Sequence, residues 1–386
     1  MLDLSLIWRE SLSEPPKPKY QQIVHDLQRS IGAGEYKEGE RLPSEADLVK
    51  RFSTSRLTVQ RALKELQHQS LIERRAGSGT YVRRVDREER HVFGLLIPGL
   101  GDTEIFEPIC QGMARAGRAG GHALLWGDTA HSASDLEADR ERQTRDLCEY
   151  YLDRKVTGIF FAPLEFTAAK DQINQWVVDT LAKARVPVVL LDRCVYRYPR
   201  RCAFDLVGID NRRAGFIVAE HLLRHGCKRL MFLAKPNSAY TVDTRITGFQ
   251  DAIQAFHMTG AQGHVHIGDP DEIAWMRQTV QHSRPDGIVC ANDLTAARLM
   301  RTLEQLGIAV PKDLRVVGFD DVKFAALLGV PLTTLHQPCR EIGETAVRTM
   351  LERIAHPHMP PRDVLLDCKL VVRRSCGSHL HRAEDN

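Results

Sequence analysis

Residues 41–82 read "RLPSEADLVKRFSTSRLTVQRALKELQHQSLIERRAGSGTYV", and this stretch decides the fold of the first part of the chain. Pro43 breaks the chain and Ser44 is a preferred N-cap, so a helix is predicted to begin there. A second helix is predicted to open at Ser53 or Ser55, because apolar residues follow at helical spacing. "LIERRAGSGTYV" then predicts a β-hairpin whose glycines give its tip backbone freedom.

Another amphipathic helix is predicted upstream, where apolar residues recur at helical spacing from Tyr20 to Ile31. Three short helices followed by a hairpin form a winged helix-turn-helix. In such a domain the third helix reads base edges in the major groove, while the hairpin approaches the sugar-phosphate backbone. A solvated, charged helix beside an incidental hairpin is the alternative, and the helix order and the glycine-rich wing argue against it.

Charge is concentrated in the same region. Between residues 48 and 84 there are nine Lys and Arg against two Glu, an excess of seven positive charges. The whole chain of 386 residues carries +3, so the remainder carries −4. This asymmetry indicates a small polyanion-binding module attached to a mildly acidic body.

Residues 34–82 resemble the DNA-binding domain of the GntR family of bacterial transcription regulators across nearly all of that domain. The resemblance implies contacts with operator DNA. The implied residues are Arg41, Ser44, Glu45, Ser55, Arg56, Thr58 and Gln60, with Gly77 at the wing, and the predicted set is completed by Arg61 and Arg75. Ala46 and Gln60 stand where many members carry arginine, and glutamine suits adenine where arginine suits guanine.

Beyond residue 90, short apolar runs alternate with helical patterns. The clearest predicted strands are "VFGLLIP", "VTGIFFAP", "VPVVLLD", "RLMFLA", "DGIVCAN" and "LRVVGFD". Strands that are apolar throughout and separated by helices predict parallel sheets covered on both faces. Ligands of such sheets bind at the carboxyl ends of the strands.

Polar residues follow four of these predicted strands. Asp192 and Arg193 follow one strand, Asn292 another and Asp320 a third, and the first strand is followed by Asp102 and the aromatic Phe106. Carboxylates and amides bind vicinal hydroxyl groups, and an aromatic ring packs against sugar C–H groups. For any single residue a helix cap or turn is as good an explanation. The four strand ends together predict a site for a polyhydroxylated ligand.

Residues 92–375 resemble the effector domain of the LacI/GalR repressors, which is similar to periplasmic sugar-binding proteins. The carrying segments include "VGIDNRRAGFIVAEHLLRHGCKRLMFL" and "CANDLTAARLMRTLEQLGIAVPKDLRVVGFDD". The resemblance implies two lobes joined by three crossovers, with the effector between them. The implied contacts are Asp102, Thr103, Phe106, Asp192, Arg193, Asn292, Asp320 and Gln337. At Asp243 many members carry a sugar-gripping arginine, and the acid here is predicted to accept from a hydroxyl.

The predicted fold class is an N-terminal winged helix-turn-helix (α+β) followed by a two-lobed α/β periplasmic-binding-protein-like domain with parallel sheets. The layout resembles that of AraR-type arabinose repressors. It predicts a homodimeric regulator that binds double-stranded operator DNA and is released by a small sugar. A purine or other non-sugar effector, and an activator role, stay open. The predicted boundaries are an unassigned extension at 1–17, the DNA-binding domain at 18–83, a linker at 84–91, the effector-binding and dimerisation domain at 92–378 and a tail at 379–386.

Other classes of protein fit the sequence less well. No secretory signal or membrane-spanning run is predicted, which favours the cytoplasm and disfavours a transport-type sugar-binding protein. An enzyme fused to a DNA-binding head, such as an aminotransferase-like one, would need a cofactor lysine in context, and none is recognised. "HVH" at residues 264–266 and "HPH" at residues 356–358 lack partners at zinc-ligand spacing. We therefore expect no catalytic residue, no metal and no cofactor.

Overall fold

The computed structural model describes most of the chain. The described residues are 18–32, 34–37, 39–69, 71–75, 78–82, 90–98, 100, 104–127 and 136–381. The chain divides into one compact unit that ends at Glu89 and a second that begins at Arg90. This division falls within the predicted linker, whose residues 84–89 lie outside the described residues, as do the predicted extension at 1–17 and residues 382–386 of the predicted tail.

The described part of the first unit contains three helices and an antiparallel hairpin, which confirms the predicted winged helix-turn-helix. Its elements are α1 (Lys19–Gly32), α2 (Glu45–Phe52), α3 (Arg56–His68), β1 (Ile72–Arg75) and β2 (Gly79–Val82). The buried residues between them are Ile23, Val24, Leu27, Leu42, Leu48, Val59, Ala62, Leu63, Leu66, Ile72 and Val82.

Side-chain caps set where α2 and α3 begin. The hydroxyl of Ser44 accepts from the backbone N–H of Asp47, whose carboxylate accepts in return from the N–H of Ser44. Ser55 accepts from the backbone N–H of Thr58. Each cap of this kind stabilises its helix by about 1 kcal/mol. Of the two predicted starts of α3 the structure selects Ser55, because Ser53 ends α2 in the left-handed conformation at φ +46°.

The second unit contains two six-stranded sheets, and each sheet forms the centre of a lobe. The first lobe has the strands β3 (Val92–Leu96), β4 (Ala123–Trp126), β5 (Gly158–Phe161), β6 (Val188–Leu191), β7 (Asp205–Ile209) and β13 (Asp363–Leu366). They are all parallel, in the order β13-β7-β6-β5-β3-β4. The second lobe has β8 (Arg229–Ala234), β9 (Gln262–Ile267), β10 (Gly287–Cys290), β11 (Arg315–Asp320), β12 (Thr333–His336) and β14 (Lys369–Val371). Their order is β14-β12-β11-β10-β8-β9, with only β14 antiparallel.

Helices cover both faces of each sheet. Those of the first lobe are α4 (Phe106–Gly120), α5 (Leu136–Asp153), α6 (Lys170–Ala184) and α11 (Cys339–Ala355). Those of the second are α7 (Asn211–Arg224), α8 (Tyr240–Ala255), α9 (Ile273–Ser283), α10 (Asp293–Gln305) and the short α12 (Ser378–His381). No helix in the described ranges is both long enough and apolar enough to span a membrane.

The chain passes between the lobes three times. The crossings lie between β7 and α7, between β12 and α11, and between β13 and β14. All six strands predicted from apolar runs are present, and β5, β6 and β10 are buried along their whole length because helices cover both faces. The predicted two-lobed parallel α/β fold is thus confirmed.

Two glycines bring α7 and α8 into close contact. A Cβ atom added to Gly215 would overlap the carbonyl oxygen of Arg245, and one added to Gly248 would overlap that of Arg212. Glycine is needed at both positions because the backbones touch there. This contact fixes the position of α8, which carries Arg245 of the candidate effector site as well as Tyr240 and Asp243.

Candidate DNA-binding face and candidate effector site

Glu45 connects three elements of the first unit. Its carboxylate accepts from Arg56 Nε and Gln60 Nε2 of α3, each at 3.1 Å, and also from Arg74 of β1. The hydrogen bond from Gln60 is the largest influence on the pKa of Glu45 and lowers it, and Arg56 and Arg74 act in the same direction against the effect of burial. Glu45 therefore sets the positions of two predicted DNA contacts, Arg56 and Gln60.

Arg41 lies across the wing. Its backbone pairs with Tyr81 in an isolated antiparallel bridge, and its guanidinium lies over Gly79. Gly79 has φ +130°, and a Cβ atom there would lie 2.7 Å from Arg41 Nε. One cavity of about 540 Å³ between α2, α3 and the wing is lined by five of the predicted contacts, Arg41, Ser44, Glu45, Arg56 and Arg75. The structure thus brings these five predicted residues together.

Several predicted DNA contacts also have structural partners within the domain. Ser44, Ser55 and Thr58 take part in the helix caps described above. Arg61 stacks on the ring of Tyr20 of α1 at 4.2 Å, and Arg75 stacks on the ring of Tyr81 of the wing at 4.7 Å. Gly77 lies outside the described residues.

Two residues of this face were missed by the sequence analysis. Arg74 contributes to the positive charge but was not predicted as part of the site, and the structure joins it to Glu45. Leu57 is 78% exposed on α3, next to Arg56. A signal for Leu57 was present, because a leucine two residues before Val59 falls outside the apolar stripe of the helix.

In the first lobe, the candidate effector site is built around the guanidinium of Arg193. It pairs with Asp192 Oδ2 at 3.1 Å and with Glu165, and it lies over the ring of Phe106 at 5.2 Å. The Arg193 side chain is only 4% exposed. Two carboxylates therefore compensate one buried positive charge. Glu165, in the loop after β5, was not predicted.

In the second lobe, the site is built around Asp320 at the end of β11. Gln337 Nε2 donates to Asp320 Oδ1 at 2.7 Å, and Arg245 Nη1 lies 3.9 Å from the same oxygen. Burial raises the pKa of Asp320 to about 7; Asp192 and Glu165 add to this effect, and Arg245 and Gln337 oppose it. Asp192 and Glu165 of the first lobe therefore lie near enough to Asp320 of the second lobe to act on it electrostatically.

Arg245 was not predicted as a site residue. Its Nε donates to Asn211 Oδ1 at 2.8 Å, its Nη1 donates to the carbonyl of Ala291 at 2.6 Å, and its guanidinium lies over the ring of Phe319. Asn211 directly follows the first crossing between the lobes, and Gln337 lies in the second. Two of the three crossings therefore contribute to the site or its support.

The site has unused acceptors and unusual backbone geometry. Within the described residues, Asp192 Oδ1 and Gln337 Oε1 are buried and have no hydrogen-bond partner. Asp192 and Asp320 also have positive φ angles, +67° and +110°, which residues other than glycine rarely adopt. Such strain concentrates at ligand-binding sites.

The other predicted effector contacts are placed differently. Asn292 caps α10 by accepting from the N–H of Thr295 at 2.8 Å, so its carbonyl oxygen already has a structural partner. Asp243 pairs with Arg197 at 2.7 Å, and its side chain is 41% exposed. The structure does not place Asp243 among the partners of Asp320. Asp102 and Thr103 lie outside the described residues.

The raised pKa of Asp320 predicts a specific dependence of stability on pH. An acid whose pKa is higher in the folded protein destabilises the fold as pH rises from its ordinary value, 3.8, through about 7. Relative to Asp320→Asn, which does not titrate, the free energy of unfolding of the wild type should fall by about 1–2 kcal/mol between pH 5.5 and 7.5. Urea unfolding of both proteins across this range measures the difference. Parallel pH profiles would contradict the assignment.

Comparison with known proteins gives matches to both units. The family model of bacterial regulatory proteins of the gntR family matches residues 19–82, and that of the periplasmic binding protein-like domain matches residues 219–376. The arabinose metabolism transcriptional repressor of Geobacillus stearothermophilus is 28% identical over 377 residues, which cover 94% of this chain and 99% of that protein.

Two further matches concern mainly the second unit. The HTH-type transcriptional repressor PurR of Aliivibrio salmonicida is 30% identical over 246 residues, which cover 62% of this chain and 70% of that protein. The crystal structure of a LacI family transcriptional regulator from Enterococcus faecium with bound ribose superimposes with a TM-score of 0.57. It is 22% identical, and the match covers 74% of this chain and 98% of that one.

Proposed function

Because the chain belongs to the bacterial transcription regulators that join a gntR-family DNA-binding domain to a LacI-type periplasmic binding protein-like domain, we propose that a small neutral sugar, bound between its lobes, controls its hold on operator DNA. The protein is a DNA-binding transcriptional repressor and not an enzyme. The proposal concerns its effector, its target and its assembly.

The two unused acceptors carry the proposal for the effector. Asp192 Oδ1 and Gln337 Oε1 are buried, and a buried acceptor without a partner costs about 1–3 kcal/mol. A ligand that donates hydrogen bonds from hydroxyl groups would remove this cost at both atoms. The arabinose repressor among the relatives and the ribose-bound structural neighbour support a sugar as the source of those hydroxyls.

The charges of the site favour an uncharged sugar over a sugar phosphate or sugar acid. Arg193 is already compensated by two carboxylates, and Arg245 is held by an amide, a carbonyl and Asp320. A bound phosphate would place further negative charge beside Glu165 and Asp192, while in the described part of the site Arg193 and Arg245 already have partners. Burying an uncompensated charge is strongly unfavourable.

A thermal-shift screen tests this proposal. The panel contains L-arabinose, D-ribose and D-xylose, the 5-phosphates of arabinose and ribose, the corresponding aldonic acids, and the purines guanine and hypoxanthine. A ligand present at 100 times its dissociation constant adds about 2.7 kcal/mol of stability. We expect a neutral sugar to raise the melting temperature while its phosphate and acid do not. Stabilisation by a phosphate, an acid or a purine alone would contradict the proposal.

We further propose that the repressor acts in the cytoplasm as a homodimer on a two-fold symmetric operator of carbohydrate-use genes. A single winged helix offers few base contacts, and two heads on two half-sites double them. The effector must bind one arrangement of the lobes more tightly than the other, since otherwise it would shift no equilibrium. Footprinting on an operator selected from random duplexes should show two symmetric half-sites, and a single half-site bound at full affinity by a monomer would contradict the dimer.

Leu57 is predicted to contact a thymine methyl group. Its exposure of 78% on α3, beside Arg56, places a large apolar side chain where the third helix meets the major groove. Leu57→Ala should weaken binding to the selected operator by about 1 kcal/mol per head, with little change on unrelated duplex DNA. Fluorescence anisotropy with both duplexes at equal salt measures this. An equal loss on both would assign Leu57 to stability rather than to base recognition.

A further inference from the structure

Five side chains form a cluster between the lobes, apart from the acids and arginines of the effector site. The first lobe contributes Lys170 and Asp171, at the start of α6, and Arg197, in the segment between β6 and β7. The second lobe contributes Tyr240 and Asp243, both in the first turn of α8. All five line one cavity of about 380 Å³. We call this cluster the interlobe bridge.

The contacts of the interlobe bridge pass from one lobe to the other. Arg197 Nε donates to Asp243 Oδ2 at 2.7 Å. The Lys170 ammonium lies 4.0 Å from the ring centre of Tyr240, and the guanidinium of Arg197 lies 5.7 Å from it. The hydroxyl of Tyr240 lies close enough to Asp171 to lower the pKa of that carboxyl, and Asp171 itself pairs with Lys170 at 2.7 Å. A hydrogen-bonded ion pair and two cation–π contacts thus join the two lobes.

Two backbone amides make further contacts between the same parts of the lobes. The N–H of Phe166, after β5, donates to the carbonyl of Asn237, after β8, at 2.7 Å. The N–H of Ala239 donates to Glu165 Oε2 at 3.2 Å. Both hydrogen bonds exist only while the lobes touch. These two amides are therefore natural reporters of lobe contact.

We propose that the interlobe bridge holds the two lobes together without any effector, and that the ion pair between Arg197 and Asp243 sets how often they separate. Asp243 then acts as a positioning residue. It keeps the second lobe against the first, so that Asp320 faces Asp192 across the cleft. No direct contact between Asp243 and the effector is needed for this role.

The ion pair is suited to adjusting the equilibrium between touching and separated lobes, because both of its side chains are exposed. The side chains of Arg197 and Asp243 are 70% and 41% exposed, and exposed pairs of this kind have small energies. Their loss therefore changes the ratio of separated to touching lobes by about two- to fivefold. A change of this size alters the sensitivity of the protein without fixing the lobes in one state. On the proposed function, on which this consequence rests, it would raise the sugar concentration needed for release by at most the same factor.

Hydrogen–deuterium exchange of the full-length protein without any sugar tests the bridge. Asp243→Asn and Arg197→Gln should each speed the exchange of peptides that contain the Phe166 and Ala239 amides by about two- to fivefold. The charge swap that combines Arg197→Asp with Asp243→Arg should return the exchange to near the wild-type rate. Unchanged exchange in both single variants, or a swap as fast as the single variants, would overturn the proposal.

A matched control lies on the same helix. Arg212 and Asp251 form an ion pair at 2.6 Å with side chains 62% and 38% exposed, and both residues belong to the second lobe. Asp251→Asn should leave the exchange at Phe166 and Ala239 unchanged. If Asp251→Asn speeds the exchange of these amides as much as Asp243→Asn does, the effect reflects a general loosening of α8, and the proposal for the interlobe bridge is wrong. Because no sugar is present, the outcome is independent of whether the effector screen succeeds.

Discussion

Arg56→Ala is expected to weaken binding to the selected operator by about 1–3 kcal/mol for each half-site, and by about twice that for a dimer on both. The Arg56 side chain is 76% exposed near the start of α3 and is oriented by Glu45. An arginine so oriented is suited to a bidentate contact with guanine, which alanine cannot replace. Anisotropy titrations of wild type and variant at equal salt measure the loss.

The salt dependence distinguishes a base contact from a phosphate contact. If Arg56 reads a base, Arg56→Ala loses affinity for the operator while binding to unrelated DNA and the salt slope stay close to those of the wild type. If it contacts a phosphate, both affinities fall and the slope decreases by about one per head. Arg29→Ala is the control, because Arg29 is 71% exposed on α1 and pairs within the same domain. Identical curves for Arg56→Ala and wild type would remove Arg56 from the interface.

Asp320→Ala is expected to abolish release by the effector while operator binding is retained. Asp320 is held by Gln337 at 2.7 Å and faces the acids of the first lobe, so a sugar between the lobes would meet its carboxyl group. A hydrogen bond to such a group contributes about 1.5–3 kcal/mol, enough to lower the affinity for the effector tenfold or more. Titration of the sugar found in the screen into wild-type and mutant operator complexes measures the response.

Asp321 offers a matched control for this experiment. It follows Asp320 directly, also has a positive φ, and pairs with Arg373 at 2.6 Å and with His336 at 3.0 Å. Asp321→Asn should therefore lose some stability and keep the wild-type response to the sugar. If instead Asp320→Ala is released at the wild-type concentration, Asp320 supports the fold and does not bind the effector.

The sequence predicted the interior of the fold better than its edges. The strands β5 and β10 are buried throughout, so their composition is apolar and easily recognised. The edge strand β9 was not among the predicted strands, because polar residues interrupt its apolar pattern, and β4 was missed although its four residues are apolar. The starts of α2 and α3 were predictable because local caps determine them, whereas the pairing of sheets depends on contacts distant in sequence.

The candidate site was predictable where it follows strand ends. Asp192 and Asp320 were predicted in this way, because parallel strands end at one edge of their sheet. Glu165 and Arg245 were missed, since one lies in a loop and the other in a helix whose burial appears only on folding. The pairing of Asp243 with Arg197, 46 positions apart, has no local signal at all.

Gln337 lies in the segment where the chain returns from the second lobe to the first, and it also carries one of the two unused acceptors. A ligand that binds Gln337 would act directly on this crossing between the lobes. No series of intermediate residues would then be needed to convert ligand binding into movement of one lobe relative to the other. Asn211 holds Arg245 at the first crossing in the same way. The connecting segments would thus act as a hinge, and a small displacement of a side chain at the hinge would move the far ends of the lobes by a larger distance. Substitutions on the outer faces of the lobes would then change stability but leave the transmission of the signal intact.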